Sequence, residues 1–228
     1  MMAFQAAIDL GFRYLETDVH ATSDGVLVAF HDESLDRVTD RTGRIPELSW
    51  PEVAGARIAG RERIPRLEEM LDAWPEARFN IDIKTAGAIG PLARVIERAG
   101  AHDRVCVTSF SDTRRRMALR RFTRPVATSA GQSLTATFVL AAASGSTRAA
   151  HAALRDVDGL QVPVTFRGIP VATERNVELA HSAGKFVHVW TINEPAEMHR
   201  LLDLGVDGLV SDRADLLKQV LVERGQWR

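Results

Sequence analysis

Residues Tyr14 to Asp32 read Tyr-Leu-Glu-Thr-Asp-Val-His-Ala-Thr-Ser-Asp-Gly-Val-Leu-Val-Ala-Phe-His-Asp. Extended segments on either side of Asp24-Gly25 predict a strand, a two-residue primed turn and a returning strand. That register sets Asp18 opposite His31 and Glu16 opposite Glu33, and a slip of one residue turns His31 away. Side chains alternate along a strand, so Glu16, Asp18 and His20 share one face. Two carboxylates at this spacing beside an imidazole suit a hard-cation site with an acid/base group next to it. The solvated face of an amphipathic hairpin gives the same spacing.

Length and composition bound the answer around that hairpin. A chain of 228 residues, 45% of them hydrophobic, has the size of one α/β barrel or of one to two smaller domains. A formal charge of −1 points away from nucleic acid and from a polybasic membrane surface, and Arg114-Arg115-Arg116 reads as a solvated helix face. Cys106 is the only cysteine, which excludes an intrachain disulfide and a zinc cluster and suits a reducing, cytoplasmic setting. Its apolar neighbours predict a buried core residue. Leu134 to Ala143, the longest apolar run, is too short to span a bilayer, so no transmembrane segment is expected, and the start of the chain lacks a signal-peptide pattern.

Taken in order, Met1 to Leu10 predicts a helix closed by Gly11, with no capping residue before it. Residues 33 to 63 read as an irregular excursion with a short helix. Leu67, Met70, Leu71 and Trp74 then mark one side of a helix ended by Pro75. Strands follow at Phe79 to Lys84, Val105 to Phe110, Pro125 to Ser129, Gly159 to Val162, Phe186 to Ile192 and Gly208 to Ser211. Helices fall between them. Gly100 closes the first of these and Ser133 is the expected cap of another reaching Gly145; Pro195 suits a first helical turn. Val157-Asp158-Gly159-Leu160 and Val206-Asp207-Gly208-Leu209 form a weak internal echo where a helix hands over to a strand. Repeated βα units imply a parallel sheet, either doubly wound or closed into a barrel. The count is seven, one short of a (β/α)8 barrel, and the missing unit would precede the first helix.

In Phe79-Asn80-Ile81-Asp82-Ile83-Lys84 the isoleucines face one way and Asp82 and Lys84 the other. In a barrel the isoleucines pack under helices, and the ionic pair stands near the carboxyl end of the strand, where barrel active sites lie. Only three of the 29 basic residues are lysines, so Lys84 is notable for its compact charge. A structural ion pair is the alternative reading.

Glu16-x-Asp18-Val19, Thr22-x-Asp24-Gly25, His31-Asp32, Leu35-Asp36-Arg37-x-Thr39, Ile64-Pro65-x-Leu67-Glu68-Glu69, Ile81-Asp82-Ile83-Lys84, Ser109-Phe110, Val189-Trp190-Thr191-x-Asn193 and Asp207-Gly208-Leu209-x-x-Asp212 follow one another in an order that resembles the glycerophosphodiester phosphodiesterase family. Each motif is common alone; the ordered set is specific and covers nearly the whole chain. The resemblance implies a single domain over residues 1–228, an α/β (β/α)8 TIM-type barrel. It implies metal-dependent cleavage of a small-molecule glycerophosphodiester to sn-glycerol 3-phosphate and an alcohol, in glycerophospholipid metabolism. Position by position, it makes Glu16, Asp18 and Asp82 ligands of a divalent cation, Ca2+ or Mg2+. His31 becomes an acid/base histidine and Lys84 a phosphate contact. Asp82 departs from the glutamate that many relatives carry. Phe110 and Trp190 would line the glycerol end of the pocket, or serve as ordinary barrel core.

The front of the chain departs more. Relatives begin with a strand carrying His-Arg-Gly and then Pro-Glu-Asn-Thr, and neither occurs here. The expectation is therefore a barrel lacking its first strand, with a coding start upstream of Met1. The histidines at 20, 102, 151, 181 and 199 are expected at the surface or in loops. Two rival readings are a non-catalytic remnant that binds metal or a partner, and a phospholipase-type phosphodiesterase. The latter calls for exposed apolar loops near the site, whereas the βα loops identified here read as mostly polar or short.

Overall fold

The structure is a computed structural model that describes residues 1–227. The chain divides into two compact units, one ending at Ala127 and the other starting at Thr128.

In the first unit the strands lie in the order Leu27–Ala29, Tyr14–Ala21, Arg78–Ile83 and Val105–Thr108. The last three are parallel. Alternation sorts their side chains. Leu15, Val19, Phe79, Ile81, Ile83, Val105 and Val107 are buried in one core with Leu67, Met70 and Leu71 of helix Leu67–Ala73 and Leu92, Val95 and Ile96 of helix Ile89–Ala99. Glu16, Asp18, Asn80, Asp82, Cys106 and Thr108 alternate with these residues and carry the polar face, with Asp18 in register with Asp82 and Asn80 with Cys106. Cys106 is accordingly half-buried on the polar side, not in the apolar core its neighbours suggested.

The first helix, Met2–Asp9, has no side-chain cap; Phe4 reaches Trp74, their rings 6.0 Å apart. Within residues 33 to 63 the chain forms a 3-10 turn at Ile45–Glu47, a helix at Trp50–Ala54 and a small hairpin pairing Arg57–Ile58 with Glu62–Arg63. Ser49 and Glu52 make the capping box of that helix. The excursion has its own core of Leu35, Ile45, Val53, Ala56 and Ile64 packed with Val28 and Phe30 of the hairpin return.

The predicted hairpin register is one residue off. The pairs are Val19 with Ala29, His20 with Val28 and Ala21 with Leu27, around a loop from Thr22 to Val26. Thr22 makes the loop long: its hydroxyl accepts from the Val26 N–H at 2.9 Å, and its carbonyl from the Gly25 N–H at 3.0 Å. Asp24 is turned outward to accept the Trp50 N–H at 3.0 Å, which ties the loop to the excursion. Asp18 therefore faces Phe30, whose N–H donates to the Asp18 backbone carbonyl at 2.9 Å, and Glu33 lies beyond the paired strand, bonded to Arg44.

In the second unit the parallel strands Gly208–Leu209, Phe186–Trp190 and Gly159–Pro163 lie in that order. The helix expected to be capped by Ser133 spans Gln132–Ala143 and starts from Gly131, leaving Ser133 inside its first turn. A further helix, Thr147–Ala153, begins at Ser146, whose hydroxyl accepts the Ala149 N–H. The echoed Val-Asp-Gly-Leu segments prove to be one device used twice. Gly159 pairs with Phe186 and Gly208 with His188, on opposite sides of the central strand. A Cβ on either glycine would run into the ring of its partner. The two rings stack at 4.4 Å. The preceding aspartates each accept an N–H of the neighbouring strand, Asp158 from Thr128 at 2.8 Å and Asp207 from Val187 at 2.7 Å.

Candidate active site

The polar face of the first unit gathers its charge at the carboxyl end of Arg78–Ile83. The Lys84 N–H donates to the Val19 carbonyl, so the residue leaves the strand still tied to its neighbour. Its ammonium then bridges two buried carboxylates, 2.9 Å from Asp18 Oδ1 and 2.8 Å from Asp82 Oδ2. From behind, Ser109 Oγ and Arg114 Nη1 both donate to the Ile83 carbonyl at 2.9 Å, bracing the backbone just before Lys84. The Phe110 ring, 48% exposed, lies 5.0 Å from Lys84 Nζ at cation–π distance.

Burial sets the electrostatics. Desolvation pushes the Asp18 carboxyl above its ordinary value, the attraction of Lys84 offsets this only in part, and the neighbouring Asp82 charge adds to the rise. Burial also works against the Lys84 charge, but Asp82 and Asp18 outweigh it, so the ammonium holds its proton more firmly than a free lysine. The site keeps a fixed positive charge in a partly dry place.

His31 stands on the other side of Asp18. It lies past the last paired residue of the hairpin, so strand alternation no longer sets its direction. Although the register is slipped, its Nε2 comes 3.8 Å from Asp18 Oδ2. The side chain is 73% exposed and reachable by a substrate. Its Nδ1 is 2.7 Å from Asp32 Oδ1. A carboxylate only accepts, so Nδ1 carries a proton, and Nε2 is the nitrogen turned toward the site. Arg37 holds Asp32 with two bonds, at 2.6 and 2.9 Å, and together with His31 keeps its carboxyl far below the usual range. The chain Arg37–Asp32–His31 thus fixes the tautomer and direction of the imidazole.

Sequence reading quoted Asp32 and Arg37 within motifs but gave them no part; an aspartate directly after a histidine was the available signal. His20, expected at the surface or in a loop, is buried within the first strand, whereas His102 lies in the 3-10 connection before Val105–Thr108 and is buried there. His20 Nε2 donates to the His31 carbonyl at 3.2 Å, tying the first strand to the segment that carries His31, and burial lowers the tendency of its ring to take a second proton.

The residues expected to hold a cation are brought together in part. Asp18 and Asp82 stand in register, and Asp82 Oδ1 is buried with no hydrogen-bond partner, an acceptor suited to a hard cation. Glu16 lies two residues before Asp18 on the same face. Among the described residues no three His, Cys, Asp or Glu side chains already form a metal-holding cluster; the Lys84 ammonium is the cation between the two aspartates. Trp190 ends the strand Phe186–Trp190 in the second unit, half-buried and in register with Pro163.

Residues 1–216 match the glycerophosphoryl diester phosphodiesterase family. A Mycobacterium tuberculosis protein named probable glycerophosphodiester phosphodiesterase 2 is 48% identical over 227 residues, covering 100% of this chain and 86% of its own length. A glycerophosphodiester phosphodiesterase of Caldanaerobacter subterraneus is 29% identical over 98% of this chain and 91% of its own. Among solved structures, an Oleispira antarctica phosphodiesterase in complex with its product sn-glycerol-3-phosphate superposes with a TM-score of 0.77 at 21% identity, covering 96% of this chain and 89% of that one. A glycerophosphodiester phosphodiesterase from Agrobacterium tumefaciens superposes with a TM-score of 0.73 at 22% identity, over 94% and 90% of the two chains. These likenesses show an α/β fold of the TIM-barrel type. By sequence and by fold, the chain belongs to the glycerophosphoryl diester phosphodiesterase family.

Proposed function

We propose that this chain hydrolyses glycerophosphodiesters to sn-glycerol 3-phosphate and an alcohol, with His31 as acid/base group, Lys84 as phosphate contact, and Asp18 and Asp82, joined by Glu16, as ligands of a divalent cation, Ca2+ or Mg2+. The carrying observation is the half-buried ammonium between Asp18 and Asp82, next to an imidazole whose Nε2 faces the same aspartate. A phosphodiester is an anion that resists nucleophiles, and charge grows on its non-bridging oxygens as attack proceeds. Lys84 supplies a fixed positive charge there. A bound divalent cation would add charge neutralisation at a phosphate oxygen. His31 Nε2, its other nitrogen held by Asp32, is placed to take or return a proton at a reacting oxygen. Phe110 offers an exposed ring beside Lys84 for the glycerol carbons, and Trp190 is a further candidate for that role. We further infer one catalytic domain over residues 1–228, a role in glycerophospholipid metabolism, and, from the lone cysteine, a cytoplasmic location.

The test uses the full chain with glycerophosphocholine and glycerophosphoethanolamine, and follows sn-glycerol 3-phosphate enzymatically. Release that falls by about 10²- to 10⁴-fold in His31→Ala supports the assignment. An active enzyme indifferent to that change counts against it.

A further inference from the structure

We propose that the hairpin from Thr165 to Pro170 is a membrane-surface anchor that seats its tip in the headgroup layer of an anionic phospholipid bilayer. Among βα loops that read as mostly polar or short, this one carries exposed apolar side chains. All six of its residues are exposed, after the mostly buried strand Gly159–Pro163. Phe166 and Ile169 are opposite each other across the two-residue turn, so both side chains leave on one side of the ribbon, 46% and 57% exposed. Pro170 adds a third apolar residue and Arg167 a cation; the six contain no acid. An exposed aromatic–aliphatic pair with one arginine, on a hairpin whose strands satisfy each other's backbone, matches the chemistry of a bilayer interface: apolar groups at the level of the upper acyl chains and a cation among the phosphates.

Arg167 carries the argument further. It takes φ 49° and Gly168 φ 80°, both left-handed. A turn of this kind favours Asn-Gly or Gly-Gly, and a long side chain at its first position is disfavoured. The arginine sits there at a conformational cost, its guanidinium 5.5 Å from the Phe166 ring. Its charge answers the negative potential of an anionic leaflet. No helix of the described residues is long and apolar enough to cross a membrane, so the contact proposed is peripheral.

The test is flotation of the full chain with vesicles of phosphatidylcholine alone and of phosphatidylcholine mixed with phosphatidylglycerol. We expect binding to the mixed vesicles that weakens with salt. Phe166→Ser/Ile169→Ser should reduce it by at least about tenfold, and Arg167→Gly by about fivefold. Arg167→Gly is informative because glycine suits that backbone: lost binding cannot be blamed on a damaged turn. Turnover of glycerophosphocholine, a substrate free in water, should be unchanged in both variants, which separates this inference from the assigned activity. Binding by neither vesicle type, equal binding by all three proteins, or a dimer in light scattering that disappears with the same substitutions would overturn the anchor.

Discussion

Each charge in the site is set by the partner it is given. Lys84 is held by two aspartates and aimed by the Ser109–Arg114 brace, so Lys84→Met, assayed on protein whose circular dichroism matches the wild type, should lower kcat by about 10²- to 10³-fold. Unchanged kcat in that variant would return Lys84 to the plain structural ion pair. His20 donates to the His31 carbonyl from its buried place on the first strand. His20→Ala leaves that buried bond unmade and should cost about 1–3 kcal/mol in denaturant unfolding, whereas His20→Gln, with an amide N–H to donate, should recover much of it. Equal losses in the two would mean the bond contributes nothing. Much of this site is legible in the sequence: strand alternation alone puts Asp18 and Asp82 on one face with Lys84 at its end. The role of Asp32 and Arg37 is not, because it arises where the chain has left the strand and no periodicity governs direction. His31 reaches Asp18 for the same reason, despite a register that strand geometry alone would penalise.

Among elements, the helix Ile89–Ala99 is fastened to the turn after the next helix by Glu97. Its carboxylate accepts the Thr123 N–H and hydroxyl, each at 2.7 Å, and lies 3.0 Å from buried His102. These bonds draw its pKa from 4.5 down to about 2. A lowered folded pKa means stability that is present above the unfolded value and lost as pH falls through the folded one. Wild type should therefore lose stability relative to Glu97→Gln between about pH 4.5 and 2 in acid unfolding followed by circular dichroism; parallel curves would remove this link. The paired glycines make a second claim. Gly159→Ala must displace the Phe186 ring and should destabilise by about 1–3 kcal/mol, measured in urea; an unchanged midpoint would show that the ring moves freely. Helices with strong apolar contrast, such as Leu67–Ala73, are plain in the sequence. Thr147–Ala153 is not, since Thr-Arg-Ala-Ala-His-Ala-Ala carries almost no periodic contrast, and only Ser146 marked its start. The hairpin register failed on one hydroxyl: Thr22 lengthens a loop that Asp24-Gly25 alone would have kept to two residues.

For the whole molecule, the chain joins a charge-focused site on a parallel sheet to a family whose model spans residues 1–216. The near-neutral charge gives no long-range pull on an anionic substrate, so in the proposed mechanism binding falls to the local charge of Lys84 and of a divalent cation. The division of labour is testable as a whole. The most direct measurement is the rate of sn-glycerol 3-phosphate release from glycerophosphocholine by the full chain in added Mg2+ or Ca2+, then after a chelator, with Asp18→Asn and Asp82→Asn run beside it. The account predicts turnover that the chelator abolishes, that returned metal restores, and that each substitution lowers together with metal affinity in calorimetry. Release that proceeds undiminished in chelator, or that both substitutions leave intact, would contradict it.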